Sequence, residues 1–382
     1  VTVVDDMTLL IHSVRAFSRE RLLPLDREWD IDESSMGEVL PEIAEMGFLD
    51  LVGSEDEGGL GCDYQTYASI LHEISYASPS AAVAVAVHNM VGMLLRNWMS
   101  EPVRSEVTTR WSEAESFGAF AISEAGAGSD VSAIRTTAQR VGGGFNLNGE
   151  KMWITNGESA RWFFVVARTS GSPGDKAGLS GFLLDGRSEG VGRTKIRGKM
   201  GIRGSETVVL HLDDAFVPDS HRVGGDDQGM AACLSALNGG RISIAAQASG
   251  ISEACLDLMI AYAQERKQFN MRIADQQAIQ WMIADSVVEL EASKELIRRA
   301  AIKVNAGEIH PAASAMAKLY ASEAANRIAY RAVQVHGGTG YVHECRAEQL
   351  YRDARVTTIY EGTSEIQRFV IAREALRDGL NR

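Results

Sequence analysis

The chain has 382 residues, of which 45% are hydrophobic and 23% charged, and it carries a net charge of −13. That length calls for two or three domains rather than one core, and the acidic balance argues against a nucleic-acid binder while leaving room for a local arginine cluster that holds an anion. Cys62, Cys233, Cys255 and Cys345 are far apart, form no C-x-x-C pair and show no metal-ligand spacing with the histidines. They read as reduced thiols, as expected in the cytoplasm or, in a eukaryote, the mitochondrial matrix. The start at Val1 lacks the basic and apolar pattern of a signal peptide.

Residues 1–115 are expected to be helical. Leu9, Leu10, Ile11, Val14 and Phe17 recur at helical spacing, and 64–77 and 80–98 form two further apolar helices after a polar, glycine-rich loop at 55–61. The apolar run at 81–99 is interrupted by His88, Asn89, Arg96 and Asn97, which marks a buried helix and no membrane span. Over 116–225 the period approaches two. Trp162 to Ala167 reads as a strand buried on both faces, Gly142-Gly143-Gly144 as a hairpin turn, and Thr207 to Leu212 as a strand closed by Asp213-Asp214. Strands without crossover helices predict an antiparallel β-barrel or sandwich. Helices return over 226–382, where an apolar stripe from Ile279 to Val304, stopped by Gly307, predicts a bundle helix roughly 40 Å long. The class is α+β, with helical, β and helical-bundle regions in that order.

Six segments carry possible chemistry. Phe120, Ile122, Ser123 and the run Gly126-Ala127-Gly128-Ser129-Asp130 leave a strand for a loop whose bare backbone suits a flat or anionic ligand or, equally, a tight turn. Trp153, Ile154 and Thr155 set an indole beside a hydroxyl, compatible with covering a flat heteroaromatic ring or with filling a core. Arg241 follows Gly239-Gly240 and is expected to open a helix, where the dipole disfavours a cation and a separate partner is called for. Arg266, Gln268 and Phe269 end an apolar helix; the guanidinium suits a pyrophosphate or simply the helix C-terminus. Gln334, His336, Gly337 and Gly338 break a helical pattern with a glycine density that implies close approach to a ligand, His336 itself reading as structural. Near the C-terminus, Tyr360-Glu361-Gly362-Thr363-Ser364-Glu365 places a carboxylate between an aromatic residue and a glycine. In an apolar site such a carboxylate is a proton acceptor for a weak carbon acid; at a helix start it is only a capping group.

Taken together and in this order, S-E-x-G-x-G-S-D, K-M-W-I-T-N-G, E-R-K-Q-F, Q-V-H-G-G-T-G-Y and I-Y-E-G-T-S-E-I-Q resemble the acyl-CoA dehydrogenase flavoprotein family over nearly the whole chain, with wording nearest to short-chain and branched-chain members. The resemblance implies a helical N-terminal domain, a middle β-domain and a C-terminal four-helix bundle. It also implies FAD, lined by Phe120, Ile122, Ser123, Gly128, Ser129, Trp153, Ile154 and Thr155, with Thr363 and Glu365 near the active site. Arg266, Gln268, Phe269, Gln277, Gln334, Gly337 and Gly338 would hold the diphosphate and adenosine end of a neighbouring subunit's cofactor, in a homotetramer arranged as a dimer of dimers.

Glu361 matches the family's catalytic base. Some branches carry the base directly before the arginine, where this chain has Gly240. Ser129, Asn238, Arg241, Tyr360 and Gly362 are the implied substrate-side residues. The implied reaction is α,β-dehydrogenation of an acyl-CoA to its trans-2-enoyl form. Glu361 takes the α-proton, hydride leaves for flavin N5, and an electron-transfer flavoprotein accepts the electrons. A carrier-protein-bound acyl group, or a non-catalytic flavin-binding role, are the alternatives. The chain departs from the pattern at Asn238, usually Asp, and at Asn270-Met271-Arg272, usually Gly-Lys-Pro; asparagine tolerates the left-handed turn needed there.

Overall fold

The computed structural model describes residues 6–34, 36–308 and 310–378. The N-terminal region holds α1 (Asp6–Phe17), α2 (Leu23–Asp32), α3 (Leu40–Glu45), α4 (Tyr64–Ala77), α5 (Pro79–Trp98) and α6 (Val103–Thr108). The boundary between α4 and α5 follows from local chemistry. Asp63 caps α4 by accepting from Thr66 N, and Ser78 caps α5 by accepting from Ala81 N, with Pro79 as the first helical residue. The core of α5 is buried on nearly all sides, as its apolar run predicts.

The middle region contains β1 (Gly118–Ala121), β2 (Thr137–Val141), β3 (Gly144–Thr155), β4 (Trp162–Arg168), β5 (Leu179–Asp185), β6 (Val191–Lys195), β7 (Thr207–Pro218) and β8 (Arg222–Val223). They form one sheet in the order β6-β7-β3-β2-β4-β5-β8, with β1 beside β4. The β2–β3 hairpin turns at Gly142-Gly143, and every residue of β4 is buried, both as expected. Two details differ from the expected strand pattern. β1 pairs with β4 in parallel, as does the end of β2, because the β2–β3 hairpin rather than a helix supplies the crossover from β1 to β4. β7 continues past Asp213-Asp214 to Pro218, since the left-handed kink at Asp214 is absorbed as an irregularity opposite β3.

The C-terminal region holds α7 (Gly229–Glu265), a small hairpin of β9 (Lys267–Gln268) and β10 (Met271–Arg272), then α8 (Gln277–Asn305), α9 (Pro311–His336), α10 (Arg346–Val356) and α11 (Ser364–Asp378). α7 is long and apolar enough by composition to cross a membrane, but it is the buried centre of the bundle, packed among α4, α5, α8 and α9. Its one continuous core with α4, α5, α8 and α9 is rich in alanine, so the helices approach closely. Arg241 therefore does not open a helix: it lies inside the 37-residue α7. Gly239 and Gly240 do not break α7, because a side chain at Gly240 would meet Glu361 and Met90; the glycines serve close packing.

Candidate active site

Glu361 lies in the short loop between α10 and α11, with φ of +52°, followed by Gly362 at +88°. A left-handed non-glycine residue is strained, and this one is held from both sides. Lys318 of α9 donates from Nζ to the Gly362 carbonyl at 2.8 Å. Gln367 of α11 donates from Nε2 to the carbonyls of Glu361 and Gly362, at 3.1 and 2.9 Å. Thr363, not Glu361, caps α11, its Oγ1 accepting from Ile366 N at 3.3 Å. The capping role for Glu361 is thus already filled, and its carboxylate Oε2 is buried without any hydrogen-bond partner. The Glu361 backbone N–H likewise donates to no acceptor among the described residues.

Burial pushes the Glu361 carboxyl up to about 7, with Lys318 and Arg241 pulling in the opposite direction. Lys318 is fully buried and is pulled down to about 8 by desolvation, with Glu361 acting to hold its proton. Arg241 is buried, its guanidinium lowered by desolvation, and its NH1 donates to Asn238 Oδ1 at 2.8 Å. The Asn238 departure thus keeps a contact to Arg241. Tyr360 donates from its hydroxyl to Gln247 on α7, which aims the ring and fixes the residue before Glu361.

Gly240 opens the space beside the carboxylate. A Cβ there would stand 2.8 Å from Glu361 Oε2 and 2.8 Å from Met90 Sδ. Gly240 and Met90 also line a cavity of about 50 Å³ between α4, α5 and α7, together with Tyr64, Tyr67, Met93 and Ser243. Tyr67 and Ser243 share a hydroxyl hydrogen bond of 2.9 Å in its wall. Glu361 therefore borders a small pocket in which Met90, Met93 and Leu94 alternate with the hydroxyls of Tyr64, Tyr67, Ser235 and Ser243.

The middle region reaches this point through Phe120, which packs with Tyr360, Val356 and Ile202 in a small apolar cluster. The loop after β1 is pinned by a buried ion pair: Lys151 Nζ donates to Glu124 Oε1 at 2.8 Å and to the Ile122 carbonyl at 3.1 Å. Met152 N donates to the Ser123 carbonyl at 2.8 Å, which brings Ser123 beside Trp153. Trp153 is 59% exposed with φ of +64°, at a bulge between β3 and β7; it is not a core tryptophan. Thr155 ends β3 nearby. Ile122 and Ile154 are the exceptions among the expected flavin-lining residues: both side chains are buried in apolar clusters, so their backbones rather than their side chains can face a ligand. Gly128 and Ser129 are exposed, and a side chain at Gly128 would meet nothing.

The remaining candidates gather at another surface. Tyr262 near the end of α7 stacks on His336 at the end of α9, with ring centroids 4.4 Å apart, which confirms His336 as structural. This contact joins the Arg266–Arg272 hairpin to the loop after α9. Arg266, Gln268, Gln277, Gln334, Gly337 and Gly338 are all exposed there, and Phe269 is 88% exposed. Asn270 adopts φ of +62°, so the turn survives without the usual glycine. A side chain at Gly337 or Gly338 would meet nothing within 4 Å. Glu365 is exposed in the first turn of α11.

Lys318, Gln367, Tyr67 and the Lys151–Glu124 pair were not singled out as site residues by sequence reasoning. Lys318 interrupts a run of small residues, Ala312 to Ala325, and a lone cation in such a stripe is the signal that would have found it.

A carboxylate with one buried, unpartnered oxygen beside a small pocket, together with an exposed indole and open glycine loops elsewhere on the chain, fits a cofactor-dependent oxidoreductase of carbon acids. Family models for the N-terminal, middle and C-terminal domains of acyl-CoA dehydrogenase match residues 5–115, 119–215 and 227–376, and the chain belongs to that family. It is 39% identical to the mitochondrial short-chain specific acyl-CoA dehydrogenase of Mus musculus over 97% of this chain and 90% of that one. It is 38% identical to the CarC subunit of a caffeyl-CoA reductase–Etf complex of Acetobacterium woodii, over 89% of this chain and 90% of the relative. Butyryl-CoA dehydrogenase of Megasphaera elsdenii superposes with a TM-score of 0.94 at 31% identity, covering 99% of this chain and 100% of that one.

Proposed function

We propose that the protein dehydrogenates a short or branched acyl-CoA between its α and β carbons, with Glu361 as the base. The observation that carries this reading is the buried Glu361 Oε2 with no partner, facing the space that Gly240 leaves beside the small pocket. The cofactor of the family is FAD, which supplies the hydride acceptor at its N5. Open backbone at Gly128, Gly337 and Gly338 and the exposed Trp153 fit such a flat, phosphate-bearing group. Phe120, Ile122, Ser123, Gly128, Ser129, Trp153 and Thr155 hold its ring end, with Thr363 and Glu365 nearby.

The chain's own work is to place and deprotonate substrate. The Glu361 carboxylate removes the α-proton, and its free backbone N–H is available to the thioester carbonyl, where enolate charge develops. A carboxyl near 7 takes the proton only when ionised, so flavin reduction should fall as pH drops below about 7. Arg241, Asn238, Tyr360, Gly362 and Ser129 orient the substrate side.

Arg266, Gln268, Phe269, Gln277, Gln334, Gly337 and Gly338 serve the cofactor of a second copy, in a homotetramer. The exposed apolar Phe269, Met271, Trp281, Val288 and Tyr341 support that assembly. An electron-transfer flavoprotein is the electron acceptor, in keeping with the Etf complex of the CarC relative. The same relative favours a second reading, reduction of an enoyl-CoA, with protonated Glu361 as the acid.

The test is anaerobic flavin absorbance with short, long, branched and cyclic acyl-CoAs. Prompt bleaching by one short or branched class supports dehydrogenation and sets the substrate range. Bleaching by none, with rapid reoxidation of the reduced protein by an enoyl-CoA, would reverse the direction; response to neither would point to a carrier-bound substrate.

A further inference from the structure

Lys318 is a lysine with no access to solvent, in the middle of α9. Such a residue is costly to bury, and it is retained here with one hydrogen-bond acceptor, the Gly362 carbonyl. That carbonyl belongs to the residue directly after Glu361 in the left-handed turn. The ammonium makes no other hydrogen bond among the described residues, and its charge acts on the Glu361 carboxylate.

We propose, on the reading of Glu361 as the base, that Lys318 is its positioning residue. The ammonium pins the turn through the Gly362 carbonyl and sets a positive charge behind the carboxylate that keeps it ionised for proton abstraction.

The groups around the carboxylate leave this role to few others. Its charge acts on the Tyr67 hydroxyl of α4 and on the Cys233 thiol and Arg241 of α7. Met90 of α5 meets the same space beside Gly240 as the carboxylate, and the loop itself contributes Tyr360. Burial raises Tyr67, Tyr360 and Cys233, so all three stay neutral near pH 7. The cations are Lys318 and Arg241. Arg241 is engaged by Asn238, whereas Lys318 alone also grips the turn. Gln367 grips the same carbonyls without a charge, so the two duties of Lys318 can be separated.

The experiment measures anaerobic flavin reduction against pH in the FAD-loaded tetrameric or native assembly, for wild type, Lys318→Gln, Lys318→Met and Glu361→Gln. Lys318→Gln retains an N–H donor for the Gly362 carbonyl but no charge. It should keep wild-type FAD content and melting temperature while its acidic limb moves up by about 1 pH unit. Lys318→Met should show the same shift plus a reduction rate at pH 7 lower by about 10-fold or more, with substrate affinity little changed. An unmoved limb in Lys318→Gln, or a Gln variant that cannot be recovered folded, would reduce Lys318 to a structural residue and overturn the proposal. Glu361→Gln separates the two readings. If it is inactive while the Lys318 variants keep the wild-type limb, only this inference fails; if it remains active, the assignment of the base fails.

Discussion

Around Glu361 the chain supplies every neighbour itself. Lys318, Gln367, Arg241 and Tyr67 come from four different helices, the carbonyls of Glu361 and Gly362 are both held, and the carboxylate oxygen is sealed. The surface formed by the Arg266–Arg272 hairpin and the loop after α9 is the opposite: Phe269 and Tyr341 stand 88% and 84% exposed, and bare glycine backbone faces open space. On the function proposed above, the difference tracks the demands on each. Proton transfer requires a fixed, dry carboxylate, which a single chain builds best from its own core. Gripping a large cofactor across a boundary calls for groups left unsatisfied until another molecule arrives.

Three experiments sharpen or break this contrast. Glu361→Gln should lower flavin reduction by on the order of 10³-fold or more while the protein stays yellow; turnover retained in that variant would mean the sealed end is not where the proton goes. Arg266→Ala with Phe269→Ser should weaken FAD retention by about 10²-fold and reduce the mass seen by analytical ultracentrifugation. A monomer that still held FAD tightly would erase the difference between the two ends. Gly240→Ala should fold normally, because both atoms its methyl meets are ends of flexible side chains, yet slow flavin reduction by about 10-fold as the carboxylate is displaced. Unchanged kinetics would show that the sealed end tolerates more play than its packing suggests.

Much of this architecture could be read from the residues. The glycine turn at Gly142-Gly143 and the stop at Gly307 are local signals, and each fell where its chemistry put it; the caps at Asp63 and Ser78 are equally local but were not read. Glu361 was visible because its aromatic and glycine neighbours are contiguous with it. Lys318 was not, since a lysine on a helix ordinarily reaches water, and only the docking of the Glu361 loop onto α9 removes that exit. Arg241 was misplaced at a helix start because Gly239-Gly240 reads as a breaker; the reason for those glycines is a close approach from residues more than a hundred positions away. Ile154 shares a motif with Trp153 and Thr155, but strand alternation turns its side chain to the core. The parallel β1–β4 pairing leaves no periodic mark at all, because a strand's alternation reports its faces and not its neighbours.

The convergence of Gly240 and Glu361 has a consequence for how such an enzyme can change. Two points far apart along the chain end at the same place beside the pocket, one offering a carboxylate and the other the absence of any side chain. With Glu361 as the proposed base, the reactive group is a tenant of a location that the helices define. A carboxylate grown from α7 would reach the same ground if the loop gave it up, so the identity of the base is exchangeable between distant codons while the chemistry stays put.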